Sequence, residues 1–345
     1  MSNPIAMSQQ LAGQGLRVAW YFALNRLLER HAGRFAAAPA YKPRRPVPTQ
    51  QELFADLGQL LMADAANVSA GLYPAMTDAA DAPLTHAARI RAMFADLPAA
   101  LARRGTEDAA SAKTAPDAEG LPDYFTQDFH FQTGGYLTDE SARLYDIQVE
   151  TLFMGTAGPM RRAALRPISE ALAGKDQRQC SLLDVACGTG RFLRQVRLAW
   201  PALQLTGLDL SKAYLGEGQR QFADLRPAQW LSANAETIPL PDASQDIVTC
   251  IYLFHELPPD VRRTVTAEFA RVLKPGGRLI FIDSLQMGDK PNFDGMLEAF
   301  PVRFHEPYFR HYAIDDLDAL FSAAGLVPRE TALPFLSKML VREKL

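Results

Sequence analysis

Cysteine is scarce in this 345-residue sequence, which contains only Cys180, Cys187 and Cys250. A small secreted domain held together by disulfides is therefore excluded, because such domains are dense in cysteine. All three residues fall in or beside apolar stretches that are typical of buried strands. We expect them to be reduced side chains in the core of a cytoplasmic protein.

Long hydrophobic runs and dense clusters of one charge are also missing. The most apolar early stretch, Val18–Leu28, is too short to span a bilayer and is interrupted by Asn25 and Arg26. Residues 1–15 lack the basic start and apolar run of a signal peptide. The 36 basic and 39 acidic residues nearly cancel, with a net charge of −3 and no dense Lys/Arg run. This balance disfavours nucleic acid as the main partner, although it leaves room for a local basic patch.

Residues 181–193 form the most informative stretch of the chain. An apolar run ends in a loop of small residues that contains Gly188 and Gly190, and a helical pattern begins at Phe192. This order is typical of a buried parallel strand, a tight turn and a helix N-terminus. The two glycines let a ligand approach the main chain closely, and the free N–H groups of the helix favour an anionic group.

A second predicted strand, residues 203–211, contains Asp209 nineteen residues after Gly190 (209 − 190). An acid at this spacing is placed to accept hydrogen bonds from a ribose, and the alternative is a helix N-cap or a solvated loop acid. Asp184 precedes the glycine turn, where its charge would repel a diphosphate but attract an ammonium group. Leu193 occupies the position of the third Gly or Ala of a dinucleotide site. The ligand should therefore carry a ribose and an amino-acid end, and S-adenosylmethionine fits.

Four motifs, in residues 184–190, 207–211, 234–248 and 271–277, resemble those of the class I S-adenosylmethionine-dependent methyltransferases, of the broad type that includes the quinone-biosynthesis enzymes. The resemblance covers about residues 140–345. It implies an α/β Rossmann-like fold, with a mostly parallel seven-stranded sheet and an antiparallel edge hairpin. Asn234 stands where many relatives have Asp. For the cofactor S-adenosyl-L-methionine, the implied or expected contact residues are Asp184, Ala186, Cys187, Gly188, Gly190, Asp209, Leu210, Asn234, Ala235, Glu236 and Tyr136.

The chain before these motifs is predicted to be helical. Three helices are expected. The first covers Leu16–Ala38 and the third covers Leu84–Ala102. The second begins after Thr49, which is its N-cap and has Glu52 as its capping-box partner. They form an accessory domain that serves either as a packing or homodimerisation surface or as a substrate lid. The expected organisation is an accessory domain at 1–104, a mobile linker at 105–123, and a catalytic domain at 124–345 that includes a lid segment at 124–137 and a substrate-wall insertion at 285–312.

His255 follows the predicted fourth strand and is the candidate general base. Chemistry belongs at such strand ends in an open α/β sheet, and an unperturbed imidazole titrates near pH 6.5. The alternative is a histidine that only fixes the loop. Glu256 orients His255, caps the next helix or contacts the cofactor. No metal is predicted, because the His and Glu residues lack a tight ligand spacing; the set considered is His130, His255, His305, His311, Glu256 and Glu306.

The sequence does not name the methyl acceptor. Its many aromatic residues favour a small aromatic or apolar molecule, with O-methylation preferred over C-, N- or S-methylation. The turn at 254–258 differs from the Asn/Asp-Pro-Pro-aromatic turn of nucleobase-methylating enzymes. A methyltransferase acting on RNA or protein and a non-catalytic cofactor-binding subunit remain open alternatives. The expected substrate contacts are His130, Phe131, Phe254, Glu256, Phe304, His305, Tyr308 and Tyr312.

Overall fold

The computed structural model describes residues 3–34, 41–76, 82–106 and 108–345. The strands are β1 Ser181–Val185, β2 Gln204–Asp209, β3 Gln229–Ser232, β4 Gln245–Ile251, β5 Leu273–Ser284, β6 Leu326–Ala332 and β7 Ser337–Lys344. The helices are α1 Pro4–Ala32, α2 Gln50–Ser69, α3 Pro83–Thr106, α4 Asp139–Leu152, α5 Ala157–Arg162, α6 Leu165–Leu172, α7 Arg191–Ala199, α8 Lys212–Gln221, α9 Pro259–Val272, α10 Asp294–Arg303, α11 Phe309–Tyr312 and α12 Leu317–Ala323.

The seven strands form one sheet in the order β3-β2-β1-β4-β5-β7-β6. Neighbours from β3 to β5 run parallel, and β7 is antiparallel to both β5 and β6. The predicted fold class is therefore confirmed. The strand order reverses between β1 and β4, and ligands of open α/β sheets bind at such a reversal, beyond the carboxyl ends of the strands.

Side chains that alternate along β1 pack on opposite faces of the sheet, and helices cover both faces. Leu183 and Val185 belong to one apolar cluster with α9 and α12, whereas Leu182 packs in a second cluster with α6 and α7. A strand buried on both faces has a nearly continuous apolar sequence, which is the pattern observed. Asp184 shares a face with Leu182, since side chains alternate with a period of two. The three cysteines are buried and free.

The N-terminal helices agree with the sequence in type and differ from it in length. Helix α1 starts at Pro4, and residues 35–38 of the predicted first helix lie outside the described residues. The Thr49–Glu52 capping box of α2 is present in both directions, which confirms that prediction. Within the described ranges, no helix combines the length and apolar character that a bilayer crossing requires.

Segment 108–137 connects α3 to α4 and contains three short 3₁₀ turns. The buried Asp128 carboxylate holds its two halves together, because it accepts hydrogen bonds from the Ser111 and Ala112 N–H groups at 2.9 and 2.8 Å. His130 and Phe131 have φ values of 57° and 56°. Non-glycine residues rarely adopt this left-handed region, and adjacent examples mark a segment whose shape is imposed by its surroundings.

Candidate active site

A cleft enclosing about 830 Å³, part of it open to solvent, lies at the carboxyl ends of β1, β2 and β4. One wall is aromatic and combines two sources: segment 124–137 supplies Tyr124, Phe125, Phe129 and Tyr136, and helices α4 and α8 supply Tyr145 and Tyr214. The cleft therefore occupies the position expected for a ligand of this sheet topology.

The glycine turn after β1 forms the floor of the cleft. Gly188 has a φ of +53°, and a Cβ atom placed there would meet no atom within 4 Å. Its missing side chain thus leaves the main chain open to a ligand. Gly190 has a φ of +71°, and a Cβ there would lie 2.9 Å from the Trp230 ring. Gly190 is therefore needed for packing against Trp230. Ala186 lines the cleft with a φ of +55° that usually requires glycine.

Two buried carboxylates stand beside this turn. Asp209 accepts hydrogen bonds from the N–H groups of Gly188 and Ser211, both at 2.8 Å, and burial raises the pKa of Asp209 to about 6 despite these bonds. Asp184 accepts a hydrogen bond from Thr249 Oγ1 at 2.7 Å. Burial, opposed by that bond and assisted by the Asp209 charge, raises the pKa of Asp184 to about 7. A ligand with positive charge and hydrogen-bond donors would stabilise both carboxylates.

The far end of the cleft suits a flat ring. Leu210, Asn234 and Ala235 line it, with Val265 and Leu257 behind them. Asn234 Oδ1 accepts from the Glu236 N–H at 2.9 Å, and the Tyr124 hydroxyl donates to Glu236 Oε1 at 2.7 Å. This end therefore combines an apolar slot with an amide edge.

The predicted cofactor residues divide into two groups. Those that line the cleft are Ala186, Gly188, Asp209, Leu210, Asn234, Ala235 and Tyr136. Those that do not line it are Asp184, Cys187, Gly190 and Glu236. Cys187 lies behind the turn, where its sulfur would be 2.9 Å from a Cβ on Gly207. Glu236 is bonded to Tyr124 and Asn234, which line the cleft, whereas Asp184 is bonded to Thr249, which does not.

His255 does not line the cleft, and its imidazole contacts Asp283. Its Nδ1 lies 2.5 Å from Asp283 Oδ1, and Asp283 Oδ2 accepts the Phe254 N–H at 2.7 Å. Burial lowers the pKa of His255, but the charge and hydrogen bond of Asp283, with Glu306 and Glu256, outweigh it and raise that pKa to about 10. An imidazolium at neutral pH donates protons and does not accept them. The geometry therefore favours the alternative in which His255 fixes the turn.

Glu256 is the member of this turn whose side chain does line the cleft. The Tyr136 hydroxyl donates to Glu256 Oε1 at 2.6 Å. Burial raises the pKa of Glu256 to about 7; the His255 charge acts to lower it and the Glu306 charge to raise it. Glu256 thus places an ionisable carboxylate against the aromatic wall.

Glu306 and His130 lie next to Glu256. His130 Nε2 is 2.6 Å from Glu306 Oε1, and the Glu306 side chain is fully buried. One ligand atom from each of His130, Glu256 and Glu306 lies within 4.8 Å of the other two, a grouping that could hold a metal ion. No local spacing predicts this cluster, because Glu306 and His130 are 176 positions apart (306 − 130).

Most of the predicted substrate residues pack around the cleft and do not line it. Phe254 and Tyr312 are fully buried in the core cluster of α9 and α12. His305 Nε2 lies 2.8 Å from Gln127 Oε1, and Tyr308 accepts from Gln127 Nε2 at 3.3 Å. Phe131 and Phe304 pack against the His305 and His130 rings respectively. Tyr124 lies in the predicted lid segment, whereas sequence reasoning missed Tyr145 and Tyr214, which no local motif marks.

Comparison with known proteins adds to this geometry. A methyltransferase-domain family model matches residues 182–277. The chain is 32% identical over 165 residues to the ubiquinone/menaquinone biosynthesis C-methyltransferase UbiE of Methylobacterium nodulans, covering 47% of this chain and 63% of that protein. It is 30% identical over 172 residues to the demethylmenaquinone methyltransferase of Thermotoga maritima, covering 50% of this chain and 70% of that protein. The chain belongs to the class I S-adenosylmethionine-dependent methyltransferases.

The match to these relatives is partial. This methyltransferase spans 63% of the length of the Methylobacterium protein and 56% of that of its counterpart from Desulfotalea psychrophila. Among solved structures, a methyltransferase from Aquifex aeolicus is 19% identical with a TM-score of 0.40, covering 53% of this chain and 89% of that one. The PH0226 protein of Pyrococcus horikoshii is 16% identical with a TM-score of 0.41, covering 54% and 90%.

S-adenosylmethionine is the cofactor of this methyltransferase family, and the cleft fits it. The buried carboxylates of Asp184 and Asp209 match a ligand that carries a sulfonium, an ammonium and ribose hydroxyls. Gly188 leaves the main chain open beside them. The apolar slot with the Asn234 amide at the far end matches a purine ring. The same two carboxylates would repel a dinucleotide diphosphate.

Proposed function

We propose that the chain transfers the methyl group of S-adenosylmethionine to a small, flat, hydroxylated aromatic acceptor bound in this cleft. The observation that carries the proposal is that one cleft joins the cofactor residues at the ends of β1 and β2 to a wall of aromatic rings and the Glu256 carboxylate. A flat apolar ring packs well against tyrosine and phenylalanine faces. A hydroxyl on that ring has a hydrogen-bond acceptor in Glu256.

In this proposal the protein mainly positions its two substrates. The cofactor supplies a methyl group that is already activated by the sulfonium. Asp209 accepts hydrogen bonds from the ribose, Asn234 contacts the ring edge, and Gly188 allows the ligand to lie against the main chain. Tyr136 donates to Glu256 and so fixes the carboxylate where the acceptor's hydroxyl is expected. Holding the acceptor in line with the methyl group supplies much of the rate enhancement.

The acceptor atom is proposed to be a ring carbon beside a hydroxyl. The relatives from Methylobacterium nodulans and Thermotoga maritima are named for quinone C-methylation and demethylmenaquinone methylation. This modifies the expectation from the sequence, which preferred O-methylation with a His255 base. Transfer of the hydroxyl proton to Glu256 would make both the oxygen and the adjacent ring carbon nucleophilic, so the same contact serves either product. The bond from the methyl group to the cofactor sulfur breaks as the new bond forms, and a carbon product is completed by loss of the ring proton to water.

The test is product formation by the purified chain. It is incubated with S-adenosylmethionine and a panel of hydroquinones, phenols and hydroxy acids, and methylated products are identified by mass spectrometry and placed on carbon or oxygen by NMR. We expect carbon methylation of a hydroquinone, lost in the Asp209→Ala variant. Methylation restricted to hydroxy acids, or no product with any acceptor of the panel, would contradict the proposal.

A further inference from the structure

Glu306 is the side chain near the cleft that is hardest to explain without a ligand. Its side chain is fully buried, and its Oε2 atom has no hydrogen-bond partner among the described residues. Its Oε1 atom makes one close contact, an ion pair with His130 Nε2 at 2.6 Å. Burying a carboxylate oxygen without a partner is costly. The arrangement therefore indicates a further partner for the Glu306 carboxylate.

The backbone around these atoms supports the same interpretation. His130 adopts the left-handed region with a φ of 57°, and its N–H donates to the His305 carbonyl at 3.3 Å. The bond fixes His130 beside the residue that precedes Glu306. The Phe300 and Phe304 rings pack against the His130 ring. Strained residues held by their surroundings are typical of functional sites.

We propose that His130, Glu256 and Glu306 bind a divalent metal ion. Their three ligand atoms come from segment 124–137, the turn after β4 and the loop between α10 and α11, and they already lie within 4.8 Å of one another. Metal–ligand bonds of roughly 2.0–2.2 Å place opposite ligands about 4 Å apart, so small side-chain movements complete the site. One imidazole nitrogen with two carboxylate oxygens suits Mn²⁺, Fe²⁺ or Zn²⁺ better than Ca²⁺.

The position of this site gives it a role, which rests on the function proposed above. Glu256 lines the cofactor cleft, so a metal ion bound to it would have a free coordination position facing the acceptor. The carboxylates of Glu256 and Glu306 would repel an ionised hydroxyl. A divalent metal ion would neutralise them and lower the pKa of a hydroxyl bound to it. The acceptor class is therefore an aromatic ring with a hydroxyl next to the methylated atom.

Calorimetric titration tests the site directly. The chain is dialysed against a chelator and titrated with MnCl₂ and, separately, with ZnCl₂. We expect one tight equivalent per chain, and an affinity at least about tenfold weaker in Glu306→Gln, since a lost ligand weakens the site at least as much as a lost neighbour of a ligand. The matched control is Glu140→Gln, because Glu140 is exposed; its metal affinity should equal that of the wild type.

S-adenosylmethionine affinity is measured on the same samples and shows that each variant is folded. No metal binding by the wild type, or equal binding by Glu306→Gln, would overturn the proposal. Full methyl transfer after chelation would overturn the role of the metal and leave the proposed function standing. Metal binding that depends on Glu306, in a chain that methylates no acceptor, would support the metal site and contradict the proposed function.

Discussion

Asp184 lies inside β1, Asp209 ends β2 and His255 follows β4, and the surroundings of each side chain set its charge. Neither acid forms an ion pair within the part of the chain that the structure describes, so burial raises the pKa of each. His255 is equally buried but contacts Asp283, which outweighs burial and keeps the imidazole protonated. A motif gives the residue type at each position, whereas the charge depends on partners that are distant in sequence. A cationic ligand would therefore stabilise the ionised forms of Asp184 and Asp209.

Replacing Asp209 tests the cofactor end. Asp209→Ala removes the expected acceptor of the ribose hydroxyls, and hydrogen bonds to a charged group contribute about 1.5–3 kcal/mol. We expect S-adenosylmethionine to bind at least about tenfold more weakly by calorimetry. Asp224→Ala is the matched control, because the Asp224 side chain is 67% exposed and pairs with Arg194 at the surface. Equal affinity of wild type and Asp209→Ala would show that the ribose lies elsewhere.

Burial raises the pKa of Asp184 to about 7. Removing its charge should therefore increase the stability of the fold and weaken cofactor binding. Because the folded value exceeds the unfolded one of about 3.9, the protonated carboxyl stabilises the fold, and this stability is lost as the pH rises through 7. Asp184→Asn keeps an acceptor for Thr249 without the charge. At pH 8 the free energy of unfolding of this variant should exceed that of the wild type by about 1–3 kcal/mol, which thermal unfolding would show as a higher midpoint temperature. At pH 4 the two proteins should differ little.

Cofactor affinity supplies the second half of that test. The neutral amide in the Asp184→Asn variant no longer attracts the ammonium end of the ligand, so S-adenosylmethionine should bind this variant more weakly at pH 8. A variant that is both more stable and less able to bind matches the usual trade-off at functional sites. Unchanged affinity at pH 8 would remove Asp184 from the cofactor site.

At the scale of elements, the Trp230 ring fixes how the glycine turn, β2 and α8 pack together. Cβ atoms on Gly190, Gly207 and Gly218 would lie 2.9, 3.1 and 2.8 Å from atoms of this ring. Three glycines from three elements therefore form one slot for a single indole. This packing supports the glycine turn that lines the cleft and links the conformation of that turn to α8.

Two glycines of α8 provide a matched pair of variants. Gly218→Ala would place a methyl group against the Trp230 ring, and overpacking of this kind costs about 1–3 kcal/mol. Gly216→Ala would meet its nearest atom, at the flexible end of Arg220, only at 4.0 Å, and should stabilise the helix by about 0.5–1 kcal/mol. Urea unfolding followed by tryptophan fluorescence compares the two. Equal stability of both variants would show that the Trp230 ring can move aside for the added methyl group without destabilising the protein.

Comparison of sequence and structure is clearest at this scale. Strand β1, helix α7 and the Thr49 capping box were predictable because each depends on residues within about ten positions. The part of the aromatic wall that lies in segment 124–137 was expected, whereas Tyr145 and Tyr214 could not be predicted because they meet Tyr136 only through tertiary packing. The same is true of the His130–Glu306 contact.

At the scale of the whole molecule, the N-terminal helices are joined to the sheet region through Asp64 of α2. The buried Asp64 carboxylate accepts from Arg162 Nε and Nη2 of α5 at 2.8 and 2.9 Å, and from the Gln10 amide of α1 and the Tyr73 hydroxyl, both at 2.8 Å. Breaking one partner of such a buried pair is strongly destabilising. We infer that the helices and the sheet unfold as one cooperative unit.

Removal of this carboxylate should therefore destabilise the whole chain. Asp64→Ala leaves the Arg162 charge buried and should lower the free energy of unfolding by about 3–5 kcal/mol. Asp224→Ala is the control, because the Asp224 side chain is 67% exposed, and loss of its surface ion pair should cost about 1 kcal/mol or less. Far-ultraviolet circular dichroism and tryptophan fluorescence should report one transition. Two separate transitions in the wild type would show that the parts unfold independently.

The central claim is that the cleft at the ends of β1, β2 and β4 holds the cofactor with its sulfur directed toward Glu256. A crystal structure of the chain with S-adenosylhomocysteine tests it most directly. The account predicts ribose hydroxyls on Asp209, the purine beside Asn234 and Ala235, and the sulfur facing the aromatic wall next to Glu256. A ligand bound at another surface, or bound here with its sulfur turned away from Glu256, would contradict it.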